Sequence, residues 1–124
     1  MAPLPAPRSR EPEVLSTKLT ADTLVRVLIV QPELAWFDGH FPGEPILAGV
    51  VQIRWAIAAA RELLGVTAGP AAVQQLKFKA PIRPGARLEL EVRRVADGAS
   101  FCYRSASGPT AVEHSSARLV FARD

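Results

Sequence analysis

The sequence is poor in the residue types that build disulfides and metal sites. It has one cysteine, Cys102, and two histidines among 124 residues. One cysteine excludes an internal disulfide and a cysteine-based metal cluster. The histidines, His40 and His114, have no cysteine nearby, so neither a metal site nor a metal cofactor is predicted. Cys102 lies in a strand-like run and is expected to be a small core residue.

The N-terminus lacks the apolar stretch that a secretory signal peptide carries. Residues 1–12 contain four prolines and little that can pack, which predicts a disordered tail. Residues 13–124 are then expected to form a single domain, because this length suffices for one core and neither a repeat nor a linker interrupts it. A cytoplasmic protein is the default expectation. The net charge of +3 suits an acidic partner but is too small to identify one.

The longest apolar run extends from Ile46 to Leu64 and contains no proline. Its apolar residues recur at helical spacings of three and four; they are Val50, Ile53, Ile57, Ala60 and Leu64. The other faces are mostly alanine and valine, so we expect this helix to be buried nearly all round. Gly65 is expected to end it. Arg54 in its middle argues against a membrane span.

Strand patterns lie on both sides of the predicted helix. They cover Thr23–Val30, Ala72–Lys79, Arg87–Val95, Ala99–Ala106 and Ala117–Ala122, while Glu13–Thr17 is either a short strand or part of the tail. Short turns between consecutive strands predict antiparallel neighbours. The expected fold is therefore α+β: a long central helix wrapped by a curved antiparallel sheet of five or six strands. Open sheet edges and an apolar helix also predict a homodimer.

Two segments resemble signatures of the β-hydroxyacyl-acyl-carrier-protein dehydratases. The first, F-D-G-H-F-P-G-E-P-I-L-A-G-V, is similar to that family's motif F-x-G-H-F-P-x-x-P-x-x-P-G-V. The second, L-K-F-K-A-P-I-R-P-G-A-R-L-E-L-E-V, resembles its basic-aromatic strand, P-x-x-P-G turn and alternating strand. The stretch G-V-V-Q-I-R-W-A is most similar to small dehydratase-like proteins of aryl polyene pathways. The resemblance implies the hot-dog fold and dehydration of 3-hydroxyacyl thioesters.

The resemblance also implies roles for individual residues. His40 would be the base that removes the α-proton, since a neutral imidazole with a pKa of about 6.5 suits that task. Phe41, Gly49 and Val50 would contact the substrate, with backbone N–H groups at the helix start stabilising charge on the thioester oxygen. The alternative for His40 is a hydrogen bond within its own turn. The other histidine, His114, is expected at the surface.

The chain departs from the family where its second catalytic group is expected. That group is an Asp or Glu fourteen positions after the histidine, and here the position holds Arg54. Arginine has a pKa above about 12 and is no ordinary proton donor. Ala48 also replaces the proline of the motif. Three interpretations of Arg54 remain open: it is solvated, it binds the substrate's oxygens, or it pairs with a carboxylate of Asp38, Glu44 or Glu62.

Three functions are therefore compatible with the sequence. The chain is a 3-hydroxyacyl-acyl-carrier-protein dehydratase of fatty-acid or polyene-type acyl chain biosynthesis, a catalytically degenerate partner of a complete dehydratase, or a hot-dog thioesterase. No cofactor is expected beyond the carrier's own phosphopantetheine. A run of basic residues is either a solvated strand face or a docking surface for the acidic carrier protein, and it comprises Lys77, Lys79, Arg83 and Arg87. Nucleic acid is not predicted, because aromatic residues do not interleave with these cations beyond Phe78.

Overall fold

The computed structural model describes residues 10–31, 46–105 and 111–122, which form one helix packed on a six-stranded antiparallel sheet. The elements in chain order are β1 Glu13–Leu19, β2 Thr23–Ile29, α1 Gly49–Leu64, β3 Ala72–Phe78, β4 Arg87–Val95, β5 Gly98–Ser105 and β6 Glu113–Val120. The predicted architecture, one helix against a single antiparallel sheet, is confirmed. The segment Glu13–Thr17, left open between strand and tail, is part of β1.

The strand order across the sheet is β1-β2-β4-β5-β6-β3. The expectation that every short turn joins neighbouring strands is wrong for β3 and β4, which lie apart. The segment between them crosses the end of the sheet instead of forming a hairpin. Lys79 N–H donates to His114 O at 2.9 Å, and Leu47 N–H donates to Ile82 O at 2.8 Å. Ile82 is fully buried, so this crossing is anchored in the core beneath the start of α1.

The sheet separates an apolar face from a polar one, as the alternation in β4 predicts. Leu88, Leu90 and Val92 are buried and lie on the side of the helix. On β5, Tyr103 pairs with Leu90 and Phe101 with Val92. The rings of Phe101 and Tyr103 meet edge to face, with centroids 5.8 Å apart. This apolar face is the floor against which α1 packs.

Only one side of α1 is buried in the chain, so the expectation of burial all round is wrong. The residues that face the sheet are Val51, Gln52, Trp55, Ala56, Ala59, Ala60 and Leu63. On the opposite side, Val50 is 72% exposed and Arg54 is exposed. Of the apolar stripe noted in the sequence, Ala60 is buried in the core, Ile53, Ile57 and Leu64 are partly buried against it, and Val50 is exposed. The periodicity alone could not identify which side of α1 faces the sheet, because both sides carry apolar residues.

The two ends of α1 differ. Gly65 adopts a left-handed conformation with φ of 69°, and its N–H donates to Arg61 O, which confirms the predicted C-terminal cap. At the start, Ala48 is the N-cap residue, and no side chain within the described ranges caps the helix. The first N–H groups of a helix have no partners within it. The start of α1 is therefore a place where backbone donors remain available.

The strands at the sheet edges carry apolar side chains in contact with solvent. On β3, Leu76 is 41% and Phe78 51% exposed, and on β1, Leu19 is 56% exposed. The pairing of β3 with β6 is interrupted between Gln74 and Lys77. No helix within the described ranges is long and apolar enough to cross a membrane. The homodimer remains a prediction.

Candidate functional site

A cavity of about 310 Å³ lies where α1 begins and β3 ends. Its lining includes Ile46, Gly49, Gln52, Phe78 and Pro81. The ring of Phe78 lies so close to Gly49 that a Cβ atom at position 49 would overlap it. Glycine is thus the residue that lets a neighbouring group approach the start of the helix. One wall of the cavity is mostly apolar, and another is the backbone at the uncapped start of α1.

A buried polar cluster holds the first turn of α1 in place. The Gln52 side chain donates to Leu47 O at 3.1 Å and accepts from Ser115 Oγ at 2.7 Å. The hydroxyl of Tyr103 donates to the backbone carbonyl of Gln52 at 2.7 Å. Burial raises the pKa of Tyr103, which keeps the phenol neutral and able to donate. Gln52 is a polar residue within the apolar run Ile46 to Leu64, and that pattern alone does not indicate its partners.

His114 supports the wall of this cavity, which corrects the expectation that it lies at the surface. It is 8% exposed. Its Nδ1 lies 3.1 Å from Pro81 O, and its Nε2 lies 2.5 Å from Ser105 Oγ. A carbonyl only accepts, so Nδ1 carries a proton, and in the neutral ring Nε2 accepts from the serine. The serines around His114 suggested a wet strand, but the register between β5 and β6 shifts next to His114, and His114 and Ser115 are both buried.

A second cavity, of about 510 Å³, lies along the outward side of α1. Val50, Ile53, Arg54 and Ile57 contribute to its lining. Arg54 is exposed there rather than buried. Of its three proposed carboxylate partners, Glu62 forms an ion pair with Arg26 at 2.7 Å, and Asp38 and Glu44 lie outside the described residues. The cavity combines an apolar strip with a cation, which suits a ligand or partner surface of mixed character.

The motif histidine cannot be placed, since His40 and Phe41 lie outside the described residues. The segment that carries them joins the described chain at Ile46, which lines the cavity at the helix start. Gly49 and Val50 lie on the first turn of α1, and only Gly49 lines that cavity. The roles assigned to these residues and to Arg54 stay predictions. Across residues 10–31, 46–105 and 111–122, no three His, Cys, Asp or Glu side chains group together as metal ligands would.

The four basic residues of the predicted docking surface do not form one patch. Lys79, Arg83 and Arg87 follow β3 or begin β4, at the end of the sheet where α1 starts. Lys79 forms an ion pair with Glu113. Lys77 instead lines a groove of about 430 Å³ on the outer face of the sheet. Only the first three lie at the end that carries the smaller cavity.

Cys102 is buried as predicted, at 9% exposure, but it is on the outer face of the sheet rather than in the core under the helix. Its Sγ–H donates to Glu113 Oε1 at 3.1 Å. Burial and this hydrogen bond raise the pKa of the thiol to about 11. A thiol held neutral in this way is a poor nucleophile. Cys102 is therefore a structural residue.

Comparison with known proteins relates the chain to dehydratases. A model of the ApeI-like family, described as the ApeI dehydratase, matches residues 16–117. The 3-hydroxyacyl-[acyl-carrier-protein] dehydratase FabZ of Zymomonas mobilis is 33% identical over 97 residues. This alignment covers 71% of the chain and 61% of the Zymomonas protein. The chain thus spans less than two thirds of that relative's length.

Two solved structures have a similar fold. A chain of the dehydratase heterocomplex ApeI:P from Xenorhabdus doucetiae superposes with a TM-score of 0.80 at 26% identity, covering 91% of this chain and 99% of that one. An uncharacterised protein from Erwinia carotovora subsp. atroseptica superposes with a TM-score of 0.77 at 32% identity, covering 89% and 94%. These likenesses identify the helix and sheet as the hot-dog fold of such dehydratases.

Proposed function

Because the chain belongs to the ApeI-like dehydratase family, we propose that it converts 3-hydroxyacyl thioesters on acyl carrier protein into 2-enoyl thioesters and water. The observation that supports this proposal is the structure at the start of α1. Gly49 lies in an uncapped first turn beside a cavity of about 310 Å³. Backbone donors of this kind stabilise a developing oxyanion. The acyl chain belongs to fatty-acid or polyene-type biosynthesis under this proposal.

The proposed chemistry uses groups of the chain alone. His40 takes the α-proton, and the electron pair moves toward the thioester oxygen, which accepts hydrogen bonds from the N–H groups of Gly49 and Val50. The electron pair then forms the double bond between C2 and C3, and the C3–O bond breaks. The departing hydroxyl takes up the proton that His40 removed from C2 and leaves as water, since Arg54 is no ordinary proton donor. Phe41 and Phe78 would shield the reacting carbon from solvent.

The test is incubation of the full chain with a 3-hydroxyacyl-carrier protein, followed by mass spectrometry of the carrier. A loss of 18 Da from the acyl group is expected, and His40→Ala should reduce its rate by at least about 10²-fold. Ser116→Ala, on the outer face of the sheet, is the matched control. Activity that survives His40→Ala would refute the assigned base. Free acid instead of enoyl product would indicate a thioesterase.

A second candidate function rests on Arg54, which replaces the family's carboxylate. We propose as the alternative that the chain binds acyl groups and is completed by a second dehydratase subunit that supplies the acid. The exposed strip of α1 around Arg54 supports a partner surface, since Val50 is 72% exposed there. The heterocomplex formed by a similar dehydratase provides a precedent for two different subunits.

Arg54→Glu separates the two candidates. If the chain has lost its acid, this variant should dehydrate about 10²- to 10⁴-fold faster than the wild type. If the chain is an active enzyme that uses another proton donor, the variant should be no faster. Arg61→Glu, at a partly buried cation two turns further along α1, controls for the change of charge. The assay is the same mass spectrometry of the carrier protein.

We also propose that two copies, or a copy and a paralogue, associate through the outward side of α1 and the edge strand β3. Val50 and Phe78 are more than half exposed, which favours such pairing. Light scattering that finds a monomer at micromolar concentration would refute the homodimer.

The carrier protein would dock on Lys79, Arg83 and Arg87. Replacing Arg83 and Arg87 with Glu should raise KM for the carrier-bound substrate and leave KM for pantetheine-bound substrates unchanged.

A further inference from the structure

Gln52 is a polar residue on the core side of α1, where its neighbours are apolar. It is 3% exposed. A buried amide that lacks hydrogen bonds destabilises a protein, so its partners need a full account. The position is one turn into the helix from Gly49 and contributes to the lining of the cavity at the helix start. Gln52 thus lies between the core and the cavity.

The orientation of the amide follows from its partners. Leu47 O can only accept a hydrogen bond, so the group 3.1 Å away must be the amide nitrogen. The oxygen then faces Ser115 Oγ, which donates at 2.7 Å. Tyr103 fixes the backbone of the same residue. The side chain and the backbone of Gln52 are therefore both held, with little freedom to turn.

One amide proton of Gln52 is left over. The NH₂ group has two protons, and within the described chain only Leu47 O accepts one of them. We propose that the second proton donates a hydrogen bond to the 3-hydroxyl oxygen of the bound acyl group, so that Gln52 orients the substrate. This inference rests on the proposed function and adds a substrate-binding residue to it.

The choice of the 3-hydroxyl follows from the arrangement of donors. The N–H groups at Gly49 and Val50 serve the thioester oxygen, and Gln52 lies one helical turn further in. A ligand held at two oxygens, on C1 and C3, is fixed in orientation, whereas one held at a single oxygen can rotate. The apolar surroundings of Phe78 and Ile46 favour a neutral hydroxyl over an anion at this point.

Binding of paired ligands tests the proposal. The ligands are 3-hydroxyacyl-pantetheine and the saturated acyl-pantetheine of equal length, each with an amide in place of the thioester to prevent turnover. Gln52→Met keeps the side-chain length and removes the donor. Calorimetry should show about fivefold to tenfold weaker binding of the hydroxylated ligand and little change for the saturated one. Ser115→Ala, which loosens the amide, should give a smaller loss with the same ligand dependence.

The controls separate this inference from the proposed function. Ser116→Ala, the neighbour of Ser115 on the outer face, should bind both ligands as the wild type does. If Gln52→Met binds the hydroxylated ligand as well as the wild type, or weakens both ligands equally, the inference is wrong while the proposed function stands. If the wild type binds neither ligand, both are wrong. If Gln52→Met does not fold, Ser115→Ala decides by the same ligand comparison.

Discussion

The two sides of α1 differ in burial, although both carry apolar residues. The side toward the sheet is closed, since Ala56, Ala59 and Ala60 have no exposed surface. Its polar residue, Gln52, is held by hydrogen bonds from three directions. The outward side also carries apolar residues but remains open, with Val50 72% exposed. One side is complete within a single chain, and the other has room for the second surface that we propose.

If the proposed association is correct, the interactions on the two sides of α1 divide into those that stabilise the fold and those that stabilise the complex. Small side chains let α1 lie close to β4 and β5, and the area buried there stabilises the single chain. The apolar surface of the outward strip remains in contact with water until a partner covers it. An arginine is tolerated in that strip because Arg54 is exposed. Substitutions on the two sides should therefore affect different measurements.

The largest effect is expected on the closed side. Leu63→Ala removes a buried side chain that is 7% exposed and should lower the free energy of unfolding by about 3 kcal/mol. Val50→Ala on the outward side should cost less than about 1 kcal/mol in the isolated chain, since Val50 is 72% exposed. Urea denaturation measures both. Equal costs would mean that the two sides do not differ as described.

The next effect concerns association and should leave folding unchanged. Val50→Lys places a charge at the start of the outward strip, and burying it unpaired in an interface is unfavourable. We expect at least about tenfold weaker self-association by sedimentation. Val66→Lys, at another exposed valine beyond the helix end, is the control. If Val50→Lys associates like the wild type, the interface lies elsewhere.

Much of the fold could be predicted from local pattern, because strand alternation and turn residues act over a few positions. β4 has the predicted bounds, and Gly65 caps the helix as expected. The pairing of β3 with β6 could not be predicted, because β4 and β5 lie between the paired residues in the chain, as for Phe78 and Ser115. Contacts between residues so distant in the chain leave no local signature.

The candidate site shows the same limit. The resemblance identified Gly49, which lies beside a cavity, but it could not identify the support around it. Gln52, Tyr103 and Ser115 are brought together from one helix and two strands, and no spacing in the sequence predicts that meeting. His114 was misassigned for a related reason, since its burial depends on the crossing at Pro81.

A smaller effect tests the polar group on the closed side. Tyr103→Phe keeps the ring and removes the hydrogen bond to Gln52 O, which should cost about 1 kcal/mol at pH 7. Because burial raises the pKa of Tyr103, the stability gained from the neutral phenol is present below the unfolded pKa of about 10 and is lost as pH rises further. The wild type should therefore lose more stability than Tyr103→Phe above about pH 10. Parallel unfolding curves of the two proteins against pH would contradict this account.

The smallest effect is expected on the outer face of the sheet, where charges remain in contact with water. Lys79, then the thiol of Cys102, hold the pKa of Glu113 below its usual range. With a lowered folded pKa, the stability from this carboxylate is present above its unfolded pKa of about 4.3 and is lost as pH falls through the folded value. The side chain of Lys79 is 51% exposed, so solvent screens the pair.

Glu113→Gln should therefore reduce stability only slightly at pH 7, and the difference from the wild type should shrink as pH falls below about 4. Added salt should reduce the difference at pH 7 in the same way, whereas the cost of Tyr103→Phe should not respond to salt. If Glu113→Gln instead costs more than Tyr103→Phe at neutral pH, the outer face contributes buried polar interactions of its own, and the contrast between the two sides of the molecule is wrong.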